Sequence, residues 1–278
     1  MTLSIDTGLP AYLGWEATFD LIARAGYRYV EWSQRGDFKF DEQTDAELER
    51  VGRQMQRAGL RLLGMIPMVR LASPLEEERL AAVGHWKRFI AITASLGARR
   101  IFGEMTGNPA FKTDAGLSRR ALARSLETLA PVLEAAGMTA SFEPHPGDFC
   151  ENSDAAVDLV RGLGLPAVRY LFCIPHSFVM GSKPAPEMVR YAGPTIGHVH
   201  IADTHRSMRI IAPADVLAHE HMVPGWGEVD FPAIVAALRA AGYGGFLTAV
   251  LFSHPDDPLA AALAMKDYAT SRLGLPLV

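Results

Sequence analysis

Positive charge is in short supply. Lys and Arg total 27 against 31 Asp and Glu, a formal net charge of -4, so no basic surplus exists to neutralise a phosphate backbone, and general nucleic-acid binding is disfavoured. Cysteine is scarcer still. Cys150 and Cys173 are the only two, too few for a disulfide framework, which points to a reducing compartment. No run approaches the ~18 consecutive apolar residues of a membrane span. The opening MTLSIDTGLP has no basic segment followed by an apolar one, so no signal peptide is expected. Neither glycine-rich phosphate loop occurs, the dinucleotide type after the first predicted strand or the nucleoside-triphosphate type anywhere, which removes the support for a doubly wound open sheet. These absences predict a cytoplasmic globular protein.

The chain holds instead 49% hydrophobic and 21% charged residues over 278 positions, with 25 Gly and 18 Pro. Those proportions describe a large buried core, at a length suited to one α/β barrel of about 250 residues. Glycine supplies the punctuation. Helix-like segments end in Gly, and a β-branched or aromatic run follows at once in 25–33, 58–66, 96–105, 136–144 and 241–252. Three more strands fall at 3–7, 167–173 and 196–203. Amphipathic stretches lie between them at 15–25, 44–58, 75–96, 115–136, 153–163, 231–241 and 257–272. In 115–136 the apolar residues Leu117, Ala121, Leu122, Leu126, Leu129 and Leu133 recur at threes and fours, as a core-facing helix requires. Eight strands alternating with helices predict a parallel sheet closed as a single (β/α)8 TIM barrel, one domain over 1–278.

A barrel of this kind builds its active site from the carboxyl ends of its strands. Glu31, Glu104 and Glu143 end the second, fourth and fifth strands, with His145 just after. Cys173 and His176 close the sixth, while His198, His200 and Asp203 lie along the seventh, followed by His205 and Arg206. The eighth ends in Val250 and Leu251, with His254 beyond. Some of these have a plainer reading. Glu31 reads as a hydrogen-bonded structural carboxylate, and one of His198 and His200 reads as a packed core histidine. His219 and His221 read as solvated loop residues. Even so, a carboxylate from the fifth strand and imidazoles from the sixth and seventh would converge at one mouth. That set suits a divalent metal such as Zn, Mn or Co, and it equally suits acid–base work near neutral pH.

Three stretches, SFEPHPGDF, IGHVHIADTHR and VPGWGEVDFPAIVAALRAAGYGGFL, resemble the xylose-isomerase-like TIM barrels, the broad sugar phosphate isomerase/epimerase family. The resemblance covers essentially the whole chain. It implies one divalent metal held by Glu, Asp, His and Glu at the ends of strands five to eight, and an enediolate route for isomerising, epimerising or dehydrating sugars and cyclitols. By position the first Glu is Glu143 and the His is His200. Cys173 stands where Asp is expected, three residues before His176, the substrate-contacting His of the motif. Val250 stands where the last Glu is expected. Arg206, six residues after His200, matches a substrate-contacting Arg of the ketose epimerases. The resemblance also implies a homodimer.

With two of four ligands replaced, the expectation is no metal, Cys173 being a small buried residue. A rewired site would use Glu143 and His200 with Cys173 or His176. The leading reading is an isomerase- or lyase-like enzyme that abstracts a proton from a polyhydroxy keto compound. Glu143 or His176 would be the base, His200 and Arg206 the enediolate stabilisers, and Glu104, His145, Asp203 and His254 substrate contacts. Trp15, Trp32 and Trp226 would pack on an apolar face of the substrate. They suggest the alternative, a metal-independent cyclase, dehydratase or isomerase acting on an aromatic molecule in natural-product biosynthesis. A non-catalytic relative of the family is the third reading. All three take a small molecule rather than a membrane or a nucleic acid as partner.

Overall fold

A computed structural model describes residues 1–9, 12–35, 37–111, 114–181, 183–206, 209–211, 216–218, 220–254 and 256–277, with backbone alone for 209–211 and 216–218. Its barrel strands are β1 (Thr2–Asp6), β2 (Tyr29–Ser33), β3 (Arg61–Ile66), β4 (Arg100–Glu104), β5 (Thr139–Glu143), β6 (Val168–Cys173) and β7 (Ile196–Ile201). A short antiparallel pair, β8 (Arg209–Ile211) and β9 (Val216–Ala218), stands apart, and β10 (Phe246–Ala249) completes the barrel. The order β1-β10-β7-β6-β5-β4-β3-β2 closes on itself with every barrel pairing parallel. Eight strands and their crossovers thus form the TIM barrel that the spacing of glycines and apolar runs predicts.

The helices follow the amphipathic stretches: α1 (Trp15–Arg24), α2 (Asp45–Arg57), α3 (Glu76–Ser95), α4 (Ala115–Ala135), α5 (Ser153–Leu163), α6 (Ile174–Met180), α7 (Ala185–Ala192), α8 (Phe231–Ala240) and α9 (Pro258–Leu273). Side chains start several of them. Thr44, Asp114, Asp230 and Asp257 each accept the backbone N–H three residues on, at 2.9–3.2 Å, capping α2, α4, α8 and α9. After α3 the chain reverses through Gly97 at φ +87°, a conformation that costs other residues more.

Two packed regions result. The larger lies between strands and helices. The smaller fills the barrel's interior with Leu63, Ile66, Phe102, Leu171 and Cys173, all buried. His198 joins this interior, its ring stacked on Phe102 with centroids 4.2 Å apart. It is the packed core histidine expected of the His198/His200 pair, and it forms part of the floor under the carboxyl-end mouth.

Candidate active site

Strand register assembles the rim. In neighbouring strands Asp6 stands beside Glu31, Glu104 beside Glu143, and Cys173 beside His200. All but Glu31 are the last or next-to-last residue of their strand, and Glu31, at the middle of β2, is brought level with the end of β1 by its pairing with Asp6, so all six meet at one end of the barrel. Five of them, together with His145, His176 and His221, line a cavity of about 370 Å³. Cys173 lies at the edge of this group, fully buried.

A run of buried polar groups ties the cavity to the barrel floor. Glu31 is wholly buried. Its Oε1 lies 2.9 Å from His200 Nε2 and its Oε2 lies 3.0 Å from His198 Nε2. His198 Nε2 is also 2.8 Å from Thr248 Oγ1, which is 2.8 Å from Ser4 Oγ. Burial works against the Glu31 charge, but His200 and His198 outweigh it and hold the carboxyl down at about 2. Burial likewise opposes a charge on His200, yet Glu31 and Glu143 on either side push its ring well above the ordinary histidine value. Burial leads on His198 and lowers it. The result is a buried carboxylate–imidazolium pair beside a neutral imidazole.

Two further carboxyls go the other way. Burial, helped by the Glu31 charge, lifts Asp6 to about 7 against the opposing bonds from Ser33 and the Gly8 N–H. Burial also lifts Glu104 to about 7, opposed by His145 and reinforced by Glu143 and Asp148. Both can therefore give up a proton near neutral pH. Glu143 is different: its Oε2 is buried without a hydrogen-bond partner and lies 3.4 Å from both His176 Nδ1 and His200 Nδ1.

The sequence-predicted residues divide accordingly. Glu143, His176, His200, Glu104 and His145 come together in the cavity. Asp203 does not line it. Its carboxylate accepts backbone N–H groups from Thr204, Gly225, Gly227 and Val229 at 2.8–3.1 Å, and so shapes the 223–229 loop. A Cβ at Gly227 would run into that carboxylate. Arg206 is exposed and does not line this cavity; its guanidinium lies 4.7 Å from the Phe178 ring beside a separate hollow.

The tryptophans lie outside the lining too. Trp32 follows inward-facing Glu31 by one residue and therefore points out of the barrel, against Trp15 at 5.7 Å and Phe40 at 5.0 Å. Trp226 is 66% exposed and packs edge-on against His254, whose Nε2 accepts the Val223 N–H. None of these residues lines the cavity itself, although Trp15 packs under the guanidinium of Arg35, which does, at 3.5 Å. Conversely, Glu31 is no isolated structural carboxylate and His221 is buried at the cavity rather than solvated; His219 lies outside the described residues. Asp6 was readable as the last residue of the LSID strand. Ser33, which donates to it, had no such signal.

The positions that the resemblance assigns to a divalent ion can be tested on these atoms. A carboxylate oxygen of Glu143, a ring nitrogen of His200 and the Cys173 Sγ lie within 4.8 Å of one another, and Glu143 Oε2 is 3.4 Å from His200 Nδ1. The 3.4 Å between the first two matches the spacing of donors about 2.1 Å from one tetrahedral ion. His200 also hands its other ring nitrogen to Glu31, as metal-ligating histidines commonly do to a carboxylate. Val250 offers no donor. The three remaining side chains fit a divalent ion of soft preference, because one of them is a thiol.

Eight parallel strands closed into a barrel, with acidic and imidazole groups gathered at the carboxyl rim, define a TIM barrel with its pocket where barrel enzymes carry theirs. The chain belongs to the xylose isomerase-like TIM barrel family, whose model matches residues 19–268. Over 134 residues, 46% of this chain, it is 34% identical to the rhizopine catabolism protein MocC of Rhizobium meliloti and covers 41% of it. Over 172 residues, 59% of this chain, it is 27% identical to the L-ribulose 3-epimerase of Mesorhizobium japonicum, covering 52% of that protein. The chain thus spans about half the length of these curated relatives. A D-psicose 3-epimerase structure, obtained in the presence of D-fructose, shares the fold with a TM-score of 0.79 at 17% identity, over 99% of this chain and 100% of that one. No helix among the described residues is long and apolar enough to cross a membrane.

Proposed function

We propose that this chain is an isomerase or lyase that moves a proton on a small polyhydroxy keto compound of the sugar or cyclitol class, working as one barrel domain. The observation that carries this is the pairing, in one cavity of about 370 Å³, of the Glu143 carboxylate with two carboxyls lifted to about 7, Asp6 and Glu104. Carboxyls that hold a proton to near neutral pH can act as acids, and a buried carboxylate oxygen without a hydrogen bond is placed to act as the base. The similarity to a protein named L-ribulose 3-epimerase supports the substrate class.

Glu143 takes the proton from the carbon next to the substrate carbonyl, its Oε2 being the carboxylate oxygen without a hydrogen bond. The electron pair moves onto the carbonyl oxygen, giving an enediolate. The His200 imidazolium, set between Glu31 and Glu143, places positive charge beside that developing anion. Asp6 or Glu104 then gives up a proton: in an isomerisation the adjacent carbon takes it while the enediol's hydroxyl proton passes to the other oxygen, and in a dehydration it leaves with the departing hydroxyl as water. Glu143, His200 and Cys173 would hold a divalent ion, whose charge would then take the place of the His200 Nδ1 proton in polarising the substrate's oxygens. The aromatic-substrate alternative draws no support from Trp15, Trp32 or Trp226, none of which lines this cavity.

The test is solvent exchange. Ketoses and inososes are incubated with the protein in D2O and deuterium uptake beside the carbonyl is followed by NMR. Uptake is expected with the parent chain and should vanish in Glu143→Gln with the circular dichroism unchanged. Undiminished uptake in that variant would remove Glu143 as the base.

A further inference from the structure

Val250 ends the last barrel strand where the resemblance implies a ligand, and a loop carries His221 to the same spot. His221 is 2% exposed. Its backbone N–H donates to Ser253 Oγ at 2.8 Å, and its Nδ1 lies 3.1 Å from the backbone carbonyl of Val250 itself. A carbonyl can only accept, so Nδ1 carries the proton and, in the neutral ring, Nε2 carries the lone pair. This is how backbone carbonyls orient metal-ligating imidazoles. A ring nitrogen of His221 falls within 4.8 Å of donor atoms of Cys173 and His176, and Cys173 falls within the same distance of donors of Glu143 and His200. Cys173 is the common member of the two groups, so binding one ion would draw the His221 ring in toward the donors of Glu143 and His200.

We propose that His221 is a ligand of the divalent ion held at Glu143, Cys173 and His200, standing in for the donor that Val250 lacks. The inference rests on the metal-binding reading of those three residues given above. A set of one carboxylate, one thiolate and two imidazoles selects a four-coordinate ion of the zinc class over magnesium or manganese, which prefer oxygen ligands. Ion binding must release the Cys173 proton, which burial and the Glu143 charge otherwise retain.

The full chain, stripped with a chelator, is loaded with cobalt(II) alone. One cobalt per chain is expected, with a thiolate-to-cobalt charge-transfer band and the strong visible bands of four-coordination. Cys173→Ser should lose the charge-transfer band. His221→Asn should keep that band, weaken the visible bands, and bind cobalt more weakly by over the roughly 100-fold that an outer-shell loss costs. Should His221→Asn misfold, X-ray absorption of zinc-loaded His176→Gln counts imidazoles with the competing ring of His176 removed: two support the assignment and one overturns it. Parent-like affinity and spectrum in a folded His221→Asn overturn the role of His221 alone. A parent that takes up no cobalt overturns the metal-binding reading as well.

Discussion

Glu31→Gln is the most informative single change to this barrel's interior, because it removes one charge from a pair held wholly in the protein. The Glu31 carboxyl is displaced from 4.5 to about 2. Roughly 2.5 units at about 1.4 kcal/mol each correspond to about 3 kcal/mol. The raised His200 value expresses the same attraction from the other side and adds nothing further. The sign follows from the direction of each shift. A depressed carboxyl stabilises the fold above pH 4.5, and that stability is lost as pH falls towards 2. A raised imidazole stabilises below pH 6.5, and its contribution is lost as pH rises through its folded value. Between those limits the pair is complete, so Glu31→Gln should cost about 3 kcal/mol near pH 6, in keeping with the 3–5 kcal/mol for breaking a buried pair. The melting temperature should fall by roughly 6–12 °C, and the acid limb of stability between pH 5 and 2 should flatten. Urea midpoints followed by circular dichroism across that range give both quantities. A variant that melts within about 2 °C of the parent, with the acid limb unchanged, would refute the ion pair.

The other carboxyls respond in the opposite sense. Asp6 is raised from 3.8 to about 7, so the fold loses stability as pH climbs between those values. Asp6→Asn should therefore gain up to a few kcal/mol at pH 7 and nothing below pH 4, while proton exchange on the substrate slows; urea melts of parent and variant at the two pH values decide it. The exchange rate of the parent should itself decline above pH 7 as Asp6 and Glu104 lose their protons, and a rate still rising to pH 9 would exclude them as the acids. Asp203→Ala leaves four backbone N–H groups without their acceptor. At about 1 kcal/mol net for each bond it should cost about 4 kcal/mol, measured by the same melts, without changing the pH profile of exchange.

The barrel was legible because its signals are local. An amphipathic period, a capping Asp and a glycine at positive φ each speak for their own segment, and alternation along β2 even separates inward Glu31 from outward Trp32. Applied to the tryptophans, that alternation would have kept Trp32 out of the expected substrate contacts. Glu143, His176 and His200 were also readable, since the family resemblance attaches to short stretches of chain. Glu31 was not, because what makes it more than a structural carboxylate is His200, 169 residues away in sequence. His221 was missed for the same reason. Its neighbours Cys173 and His176 come from β6 and α6, and its tautomer is set by a carbonyl 29 residues on.

A strand-end residue acquires its chemistry from the strand beside it, and in a parallel barrel that partner is always at least a crossover distant. Register therefore decides function here. Asp6 beside Glu31 and Glu104 beside Glu143 put like charges side by side. Burial and repulsion then keep one member of the first pair protonated while the histidines of β7 keep the other ionised. A one-residue slip between β1 and β2 would turn Asp6 away from Glu31 to the other face of the sheet and take with it the separation of proton affinities on which the proposed chemistry depends.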